Sequence, residues 1–227
     1  MLEKPIKGRP GWKEFKEAVS KGKRAKRTGN GSSVRVAPLG IIHPPDRLAE
    51  LVRDVDRACG ITHNTKSALS AGCAIAAAFS AAIEVWELED LINIAIEGAE
   101  LGKKLGEDDL APDVARRLKW LKKEVLEKEV SILDLRIKGL NPGFQAWEGA
   151  TFALALVMLY ENAREAILCA VNMGGDADSI AAMAGGIISA RFPSTLPIRW
   201  ISTVKRVNNL RMEELAASLV AIRLSKI

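Results

Sequence analysis

The run "FQAWEGATFALALVMLY", Phe144 to Tyr160, is apolar on every side of a helical wheel. Such a helix has no face to offer water, so it predicts a central, buried element with neighbours packed around it. A second segment, "THNTKSALSAGCAIAAAFSAAIEVW" from Thr62 to Trp86, is rich in alanine and predicts a helix that packs closely against others. Amphipathic segments are available to surround both. In "PDRLAELVRDVDRAC", Pro45 and Asp46 make a good helix start, and Leu48, Leu51, Val52 and Val55 fall at helical spacing. "APDVARRLKWLKKEVLE" has Pro112 near its start and a stripe of Val114, Leu118, Leu121 and Val125. "LEDLINIAIEGAELGKKLG" is read as a helix that Gly106 ends. "NAREAILCAVNM", "SIAAMAGGIISARF", "LPIRWISTVKRVN" and "MEELAASLVAIRL" follow as further helices. Near the start, "GWKEFKEAVSKGKRAKR" reads as a short helix with Phe15 and Val19 on one face.

Strand signals are sparse. Val34 to Ile42, "VRVAPLGII", could be a strand, but Pro38 interrupts it, and it is read as a buried loop or extended connection. No repeat and no linker divides the chain, so residues 1–227 are expected to be one compact all-α domain.

Composition narrows the class. Of 227 residues, 48% are hydrophobic and 27% charged, a globular balance rather than a disordered one. "TFALALVMLY", Thr151 to Tyr160, is taken as the longest apolar stretch and is too short to span a bilayer. No signal-peptide pattern follows Met1, and Cys59, Cys73 and Cys169 have no C-x-x-C spacing, so the thiols are read as reduced and the chain as cytoplasmic. Gln145 is the only glutamine among plentiful Lys, Arg and Glu, a composition that leans towards heat adaptation. The net charge is +5, much of it in "KGKRAKR", Lys21 to Arg27. That cluster has no interleaved aromatics to stack on bases, so it is read as a solvated helix end and not as a nucleic-acid site.

Four short motifs carry possible chemistry. In "MGGDADSIAAM", Asp176, Asp178 and Ser179 converge only if a loop turns into a helix with Asp176 ahead of its first turn. Gly174 and Gly175 permit that turn. Two carboxylates and a hydroxyl are hard oxygen donors, suited to Mg²⁺ or Mn²⁺ rather than to zinc. The competing reading is an aspartate N-cap, which accounts for one of the two carboxylates. The loop at Gly29, Asn30, Gly31 and Ser32 can offer backbone N–H groups to a phosphate, or it can be an ordinary turn. His63, between threonines and Asn64 at a helix start, stands where anions bind. The alternative there is Asn64 or Thr65 as the N-cap with His63 exposed beside it. Glu107, Asp108 and Asp109 read as a solvated loop ahead of Pro112.

Taken in order, "GNGSSVRVAPLG", "THNTKSALSAG", "GGDADSIAAMAGG" and "LPIRWISTVKRVN" resemble the ADP-ribosylglycohydrolase family, from about Gly11 to the C-terminus. The resemblance implies an all-α fold particular to that family and a pair of divalent metals, Mg²⁺ or Mn²⁺, at the bottom of a cleft. It implies a substrate in which ADP-ribose is attached through its distal anomeric carbon, commonly to a protein side chain. The family's aspartate-x-aspartate-threonine ligands fall on Asp176, Asp178 and Ser179, where serine keeps the hydroxyl. Its phosphate and ribose contacts fall on Gly29, Asn30, Gly31, Ser32 and His63. The family's earlier threonine-aspartate-aspartate triplet has no counterpart here, since "TDD" occurs nowhere in the sequence. The expectation is therefore an N-terminally truncated form of the domain, the C-terminal two-thirds of the family fold, with one of two metal-ligand sets. It would hydrolyse the glycosidic bond of ADP-ribose when completed by a separately encoded N-terminal segment, or hold ADP-ribose or a nucleotide without catalysis. No residue stands out as a general base. Apolar surface left uncovered by the absent segment is expected to drive homo-oligomer formation.

Overall fold

The structure, a computed structural model, describes residues 20, 22, 24–85 and 87–226. Among these the regular elements are helical, and extended backbone pairs only at two isolated bridges. In chain order the helices are α1 (Gly31–Val34), α2 (Ala37–Ile42), α3 (Leu48–Cys59), α4 (Lys66–Glu84), α5 (Leu88–Gly102) and α6 (Val114–Leu126). They continue with α7 (Ile132–Ile137), α8 (Ala146–Leu159), α9 (Ala163–Met173), α10 (Ala177–Arg191), α11 (Ile198–Asn208) and α12 (Met212–Leu224).

The two segments with no polar face are the two at the centre. In α4, 16 of 19 residues are buried, and it packs on α1, α2, α3, α5, α6, α8 and α10. In α8, 11 of 14 are buried, and it packs on α1, α4, α6, α7, α9 and α10. Alanines let α4 lie close to its neighbours. Gly98 and Gly102, one turn apart on α5, bring that helix so near that an added Cβ would sit 2.8 Å from the Cys73 carbonyl oxygen and 2.7 Å from that of Leu69. Larger side chains fill the layers farther out. Phe152, Leu154 and Leu156 of α8 are fully buried, each worth about 1.5–3 kcal/mol relative to exposure. The amphipathic helices turn their stripes inward as their spacing requires: Leu48, Leu51, Val52 and Val55 on α3, and Val114, Leu118 and Leu121 on α6, are buried, with Val125 partly so.

Several expectations need correction. Val34–Ile42 is not a loop or extended connection: Val34 ends α1 and Ala37–Ile42 is α2. Pro38 stands in the first turn of α2, where its missing N–H has no helical partner to lose. Helix α5 ends at Gly102, and Gly106 serves a different purpose: a Cβ there would lie 2.3 Å from the Thr65 carbonyl carbon, so only glycine lets the loop run against the start of α4. Helix α4 itself is long and apolar enough to cross a membrane by length and composition, so Thr151–Tyr160 is not the segment to weigh; 89% of the relevant α4 window is buried inside the fold. The helix read over Gly11–Arg27 lies largely outside the described residues, and its last four, Arg24 to Arg27, are not helical. They run beside α3 and the start of α4, with Arg24 paired to Asp56 at 2.7 Å and Lys26 paired to Glu107. Helix α7 was not foreseen, although Ser131 and Asp134 form a capping box at its start.

The last two helices sit differently. Ile198 and Val207 of α11 and Leu215 and Leu224 of α12 are exposed. Helix α12 is fastened by one buried side chain, Arg223. Its guanidinium donates to Glu84 at 2.8 Å and to the carbonyls of Gly40, Ile41, His43 and Ser80.

Candidate functional site

The backbone of Gly174 and Gly175 takes positive φ, +76° and +69°, before α10 begins at Ala177. Asp176 occupies the N-cap position, so the chain turns as convergence of Asp176, Asp178 and Ser179 requires. The carboxylate does not cap the helix, however. It accepts no hydrogen bond from the first turn of α10, and instead Oδ2 accepts from Asn30 Nδ2 at 2.6 Å. The backbone N–H of Asp176 donates to the Pro142 carbonyl at 2.9 Å. Asp178, in the first turn, is exposed, and Ser179 is half-buried. The reading of either aspartate as a simple cap is thus set aside for Asp176 by its partner.

Asn30 joins two motifs 146 residues apart. It is buried, and the same Nδ2 that reaches Asp176 also donates to the Gly143 carbonyl at 3.0 Å. Both partners are acceptors, which fixes the amide orientation. The Asn30 backbone N–H donates to the Phe144 carbonyl at 3.0 Å, Ala146 N–H donates to the Thr28 carbonyl at 2.7 Å, and Gly29 bridges Gln145. The segment 142–146 is therefore a shared wall. Its carbonyls hold the glycine-asparagine-glycine loop and the start of α10 in one register. Gly149 of α8 completes it: a Cβ there would fall 2.3 Å from Asn30 Nδ2 and 2.4 Å from Oδ1.

The rest of the loop is a helical turn. Ser32 and Ser33 in α1 are fully buried, and neither hydroxyl has a hydrogen-bond partner. The Ser32 hydroxyl is therefore closed off from solvent. Gly31 faces His63 so closely that a Cβ would meet the ring Nε2 at 2.8 Å. His63 is 7% exposed, which overturns the expectation of an exposed histidine beside the cap; the cap is Thr65, whose hydroxyl accepts from Ala68 N–H at 3.3 Å. His63 Nδ1 lies 2.7 Å from the Thr62 hydroxyl. Burial first, then the nearby charges of Arg35 and Arg27, push its pKa down to about 4, so it is a neutral imidazole near pH 7. The positive charge beside it belongs to Arg35, exposed, bonded to the Gly31 carbonyl and to the Thr62 hydroxyl.

Arg35, Phe144 and Gly149 were missed as contributors to the site. Arg35 was already inside the quoted motif, four residues after Gly31, at a spacing that returns a side chain to the same helical face. Phe144 falls within the run expected to form the buried helix, but it precedes α8, is 67% exposed, and its carbonyl accepts from the Asn30 N–H. Asp108 and Asp109 lie elsewhere: Asp108 pairs with Lys66 at 2.6 Å, and Asp109 accepts from the Ser67 N–H and hydroxyl at the mouth of α4. Glu107, Asp108 and Asp109 do lie in an exposed loop, but Asp109 also takes up a first-turn N–H of α4 beside the Thr65 cap.

Asp176, Asp178 and Ser179 offer oxygen donors of the type Mg²⁺ and Mn²⁺ prefer. Among the described residues no group of three or more His, Cys, Asp and Glu side chains stands together. The donors present fit one side of a divalent-cation site, with Asp176 aimed by Asn30.

A helical domain whose glycine-asparagine-glycine turn and glycine-glycine-aspartate turn meet across a shared wall matches the ADP-ribosylglycohydrolase family model over residues 6–226. The chain belongs to that family. It is 25% identical over 195 residues to an uncharacterized protein of Archaeoglobus fulgidus, covering 86% of this chain and 58% of that protein. It is 30% identical over 165 residues to the uncharacterized protein YegU of Escherichia coli, covering 71% of this chain and 49% of YegU. The chain spans about half the length of these curated relatives.

Proposed function

We propose that this chain holds ADP-ribose and a divalent cation, Mg²⁺ or Mn²⁺, in the hydrolysis of the bond between the anomeric carbon of ADP-ribose and a protein side chain or small acceptor. The observation that carries the reading is the 2.6 Å bond from buried Asn30 to Asp176, which brings both family motifs to one point. Asp176, Asp178 and Ser179 would hold the cation. When bound, it supplies Lewis-acid orientation of the ribose hydroxyls and activation of a water. Asn30 fixes one carboxylate in place, so that its position does not have to be organised at the moment of reaction. Arg35 offers its free N–H groups to the diphosphate. Neutral His63 serves as a hydrogen-bonding partner for a hydroxyl rather than as a counter-ion.

A second reading is favoured by the absence of a third acidic or imidazole ligand among the described residues. In it, the chain binds ADP-ribose without hydrolysing it. The two are separated by release of free ADP-ribose from a modified protein, assayed with Mn²⁺. The hydrolytic reading expects turnover when the chain is mixed with the portion of the Archaeoglobus relative that it does not span, and loss of that turnover in Asp176→Ala. ADP-ribose binding with no release in any mixture supports the second reading. For the cation, calorimetry with Mn²⁺ should show weak binding that Asp178→Asn removes. Tight binding indifferent to that substitution would rule out the ligand assignment.

A further inference from the structure

Against the 139–147 segment, which Arg117 touches at Gly139 and Trp147, lies a groove of about 430 Å³ lined by Pro112, Asp113, Arg116, Arg117, Trp120 and Lys138. Its volume is within the range of small-molecule sites. The charges around it are not balanced. Asp113, the one carboxylate in the lining, is committed twice: it accepts from Arg116 N–H at 3.0 Å to cap α6 and pairs with Lys103 at 3.0 Å. Lys138 is paired to Glu124. Arg116 is exposed and, among the described residues, its guanidinium has no carboxylate partner. Arg117 is held in place, and Glu148 offsets part of its charge without forming an ion pair with it. Its guanidinium lies 4.9 Å from the centroid of the Trp147 ring and donates to the Gly139 carbonyl at 3.1 Å, while its buried Nε has no partner. Trp120, four residues after Arg116, shares its helical face and brings a large aromatic surface to the same groove.

Two guanidiniums with no paired carboxylate among the described residues, beside an indole, suit a ligand that is both anionic and aromatic. Guanidinium groups pair with phosphate through directed N–H bonds, and an indole offers a stacking surface to a base. We propose that this groove is a second ligand site, for a nucleoside phosphate, built on α6 and separate from the Asn30–Asp176 contact. The Gly139 carbonyl held by Arg117 opens the segment whose later carbonyls receive Asn30 and Asp176, so the two sites flank one wall.

The test is equilibrium dialysis of ADP against the full chain, scored as equivalents bound. Arg116→Glu reverses a charge at an exposed position and leaves the core untouched. It should remove one equivalent of ADP per chain, whether or not the surroundings of Asn30 and Asp176 bind ADP as well. Asp176→Ala should leave that equivalent in place. Trp120→Leu should weaken it about tenfold, the loss of one good stacking contact. Adenosine and inorganic phosphate, each carrying half of the recognised chemistry, should compete at least about tenfold less well than ADP. Wild-type stoichiometry and affinity in Arg116→Glu would overturn the site. Phosphate competing as well as ADP, with Trp120→Leu unchanged, would overturn the nucleotide as its ligand.

Discussion

Placing alanine at Gly149 tests whether Asn30 is packed as the site requires. Gly149 lies inside α8, where replacing glycine with alanine ordinarily stabilises a helix by about 1 kcal/mol. Here the three atoms nearest to the new Cβ all belong to Asn30, at 2.3, 2.4 and 2.6 Å, roughly 1 Å inside normal contact. The protein has two ways to respond. It can keep Asn30 and strain the packing, at about 1–3 kcal/mol. Or it can move Asn30 and give up its bonds to Gly143 and Asp176, at about 1 and about 1.5–3 kcal/mol respectively. Taking the cheaper response and subtracting the helical gain leaves Gly149→Ala between neutral and destabilised by about 2 kcal/mol. In an Asn30→Ala background the obstructing amide is gone, and the same substitution should stabilise by up to about 1 kcal/mol. The coupling in the double-mutant cycle is then about 1–3 kcal/mol, measured by urea unfolding of the four proteins. Additive effects, with Gly149→Ala costing the same in both backgrounds, would show that Asn30 does not occupy the space against α8.

Three further outcomes follow from named contacts. His63 binds its proton less readily when folded, with a pKa of about 4 against an ordinary value near 6.5, so the unfolded chain takes up more protons between those values. Its contribution is complete above pH 6.5 and is lost as pH falls towards 4: wild type should lose about 2 kcal/mol between pH 7 and pH 5 from this residue, and His63→Gln should show a shallower fall, while equal slopes would contradict it. Gly175→Ala should destabilise more than Gly174→Ala in thermal melts, because both have positive φ but only at Gly175 would a Cβ strike the Pro142 carbonyl oxygen, at 1.7 Å. Arg223→Met should cost about 1–3 kcal/mol by leaving without a donor the buried carbonyls that the guanidinium serves, and Arg223→Lys should recover less than half, since an ammonium cannot span the same acceptors; full rescue by lysine would mean that charge alone fastens α12.

What could be read from the sequence follows from how local each cause is. Helices α4 and α8 were legible because a segment with no polar face has only one place to go, and that holds whatever its neighbours are. The turn before α10 was legible for a similar reason: two glycines ahead of an aspartate and a small-residue helix describe their own geometry. Val34–Ile42 misled because its β-branched residues alternate as a strand's do, and Pro38 reads as a break until it is placed in a helix's first turn. His63 misled in the opposite direction. Polar residues on both sides suggest exposure, yet it is Gly31, from another segment, that closes over the ring.

The core of the site has no local signature at all. Asn30 and Asp176 are 146 residues apart, and neither motif names the other. The residue that lets them meet, Gly149, lies in a helix identified by its apolar character, where a lone glycine looks like a minor weakness. Only its distance to the Asn30 amide shows that the missing side chain is the space the asparagine fills. The same holds for the wall at Pro142, Gly143 and Phe144. It contributes carbonyl oxygens, which every residue possesses, so nothing in the side-chain sequence marks it. Motif order along the chain pointed to the family, but the geometry that orients Asp176 is made by backbone and by an absent methyl group. A search for the site's determinants by residue chemistry alone would pass over both. Substitutions at Gly149 and Gly175, which carry no reactive group, are therefore expected to disturb the Asp176 carboxylate as surely as changing Asn30 itself.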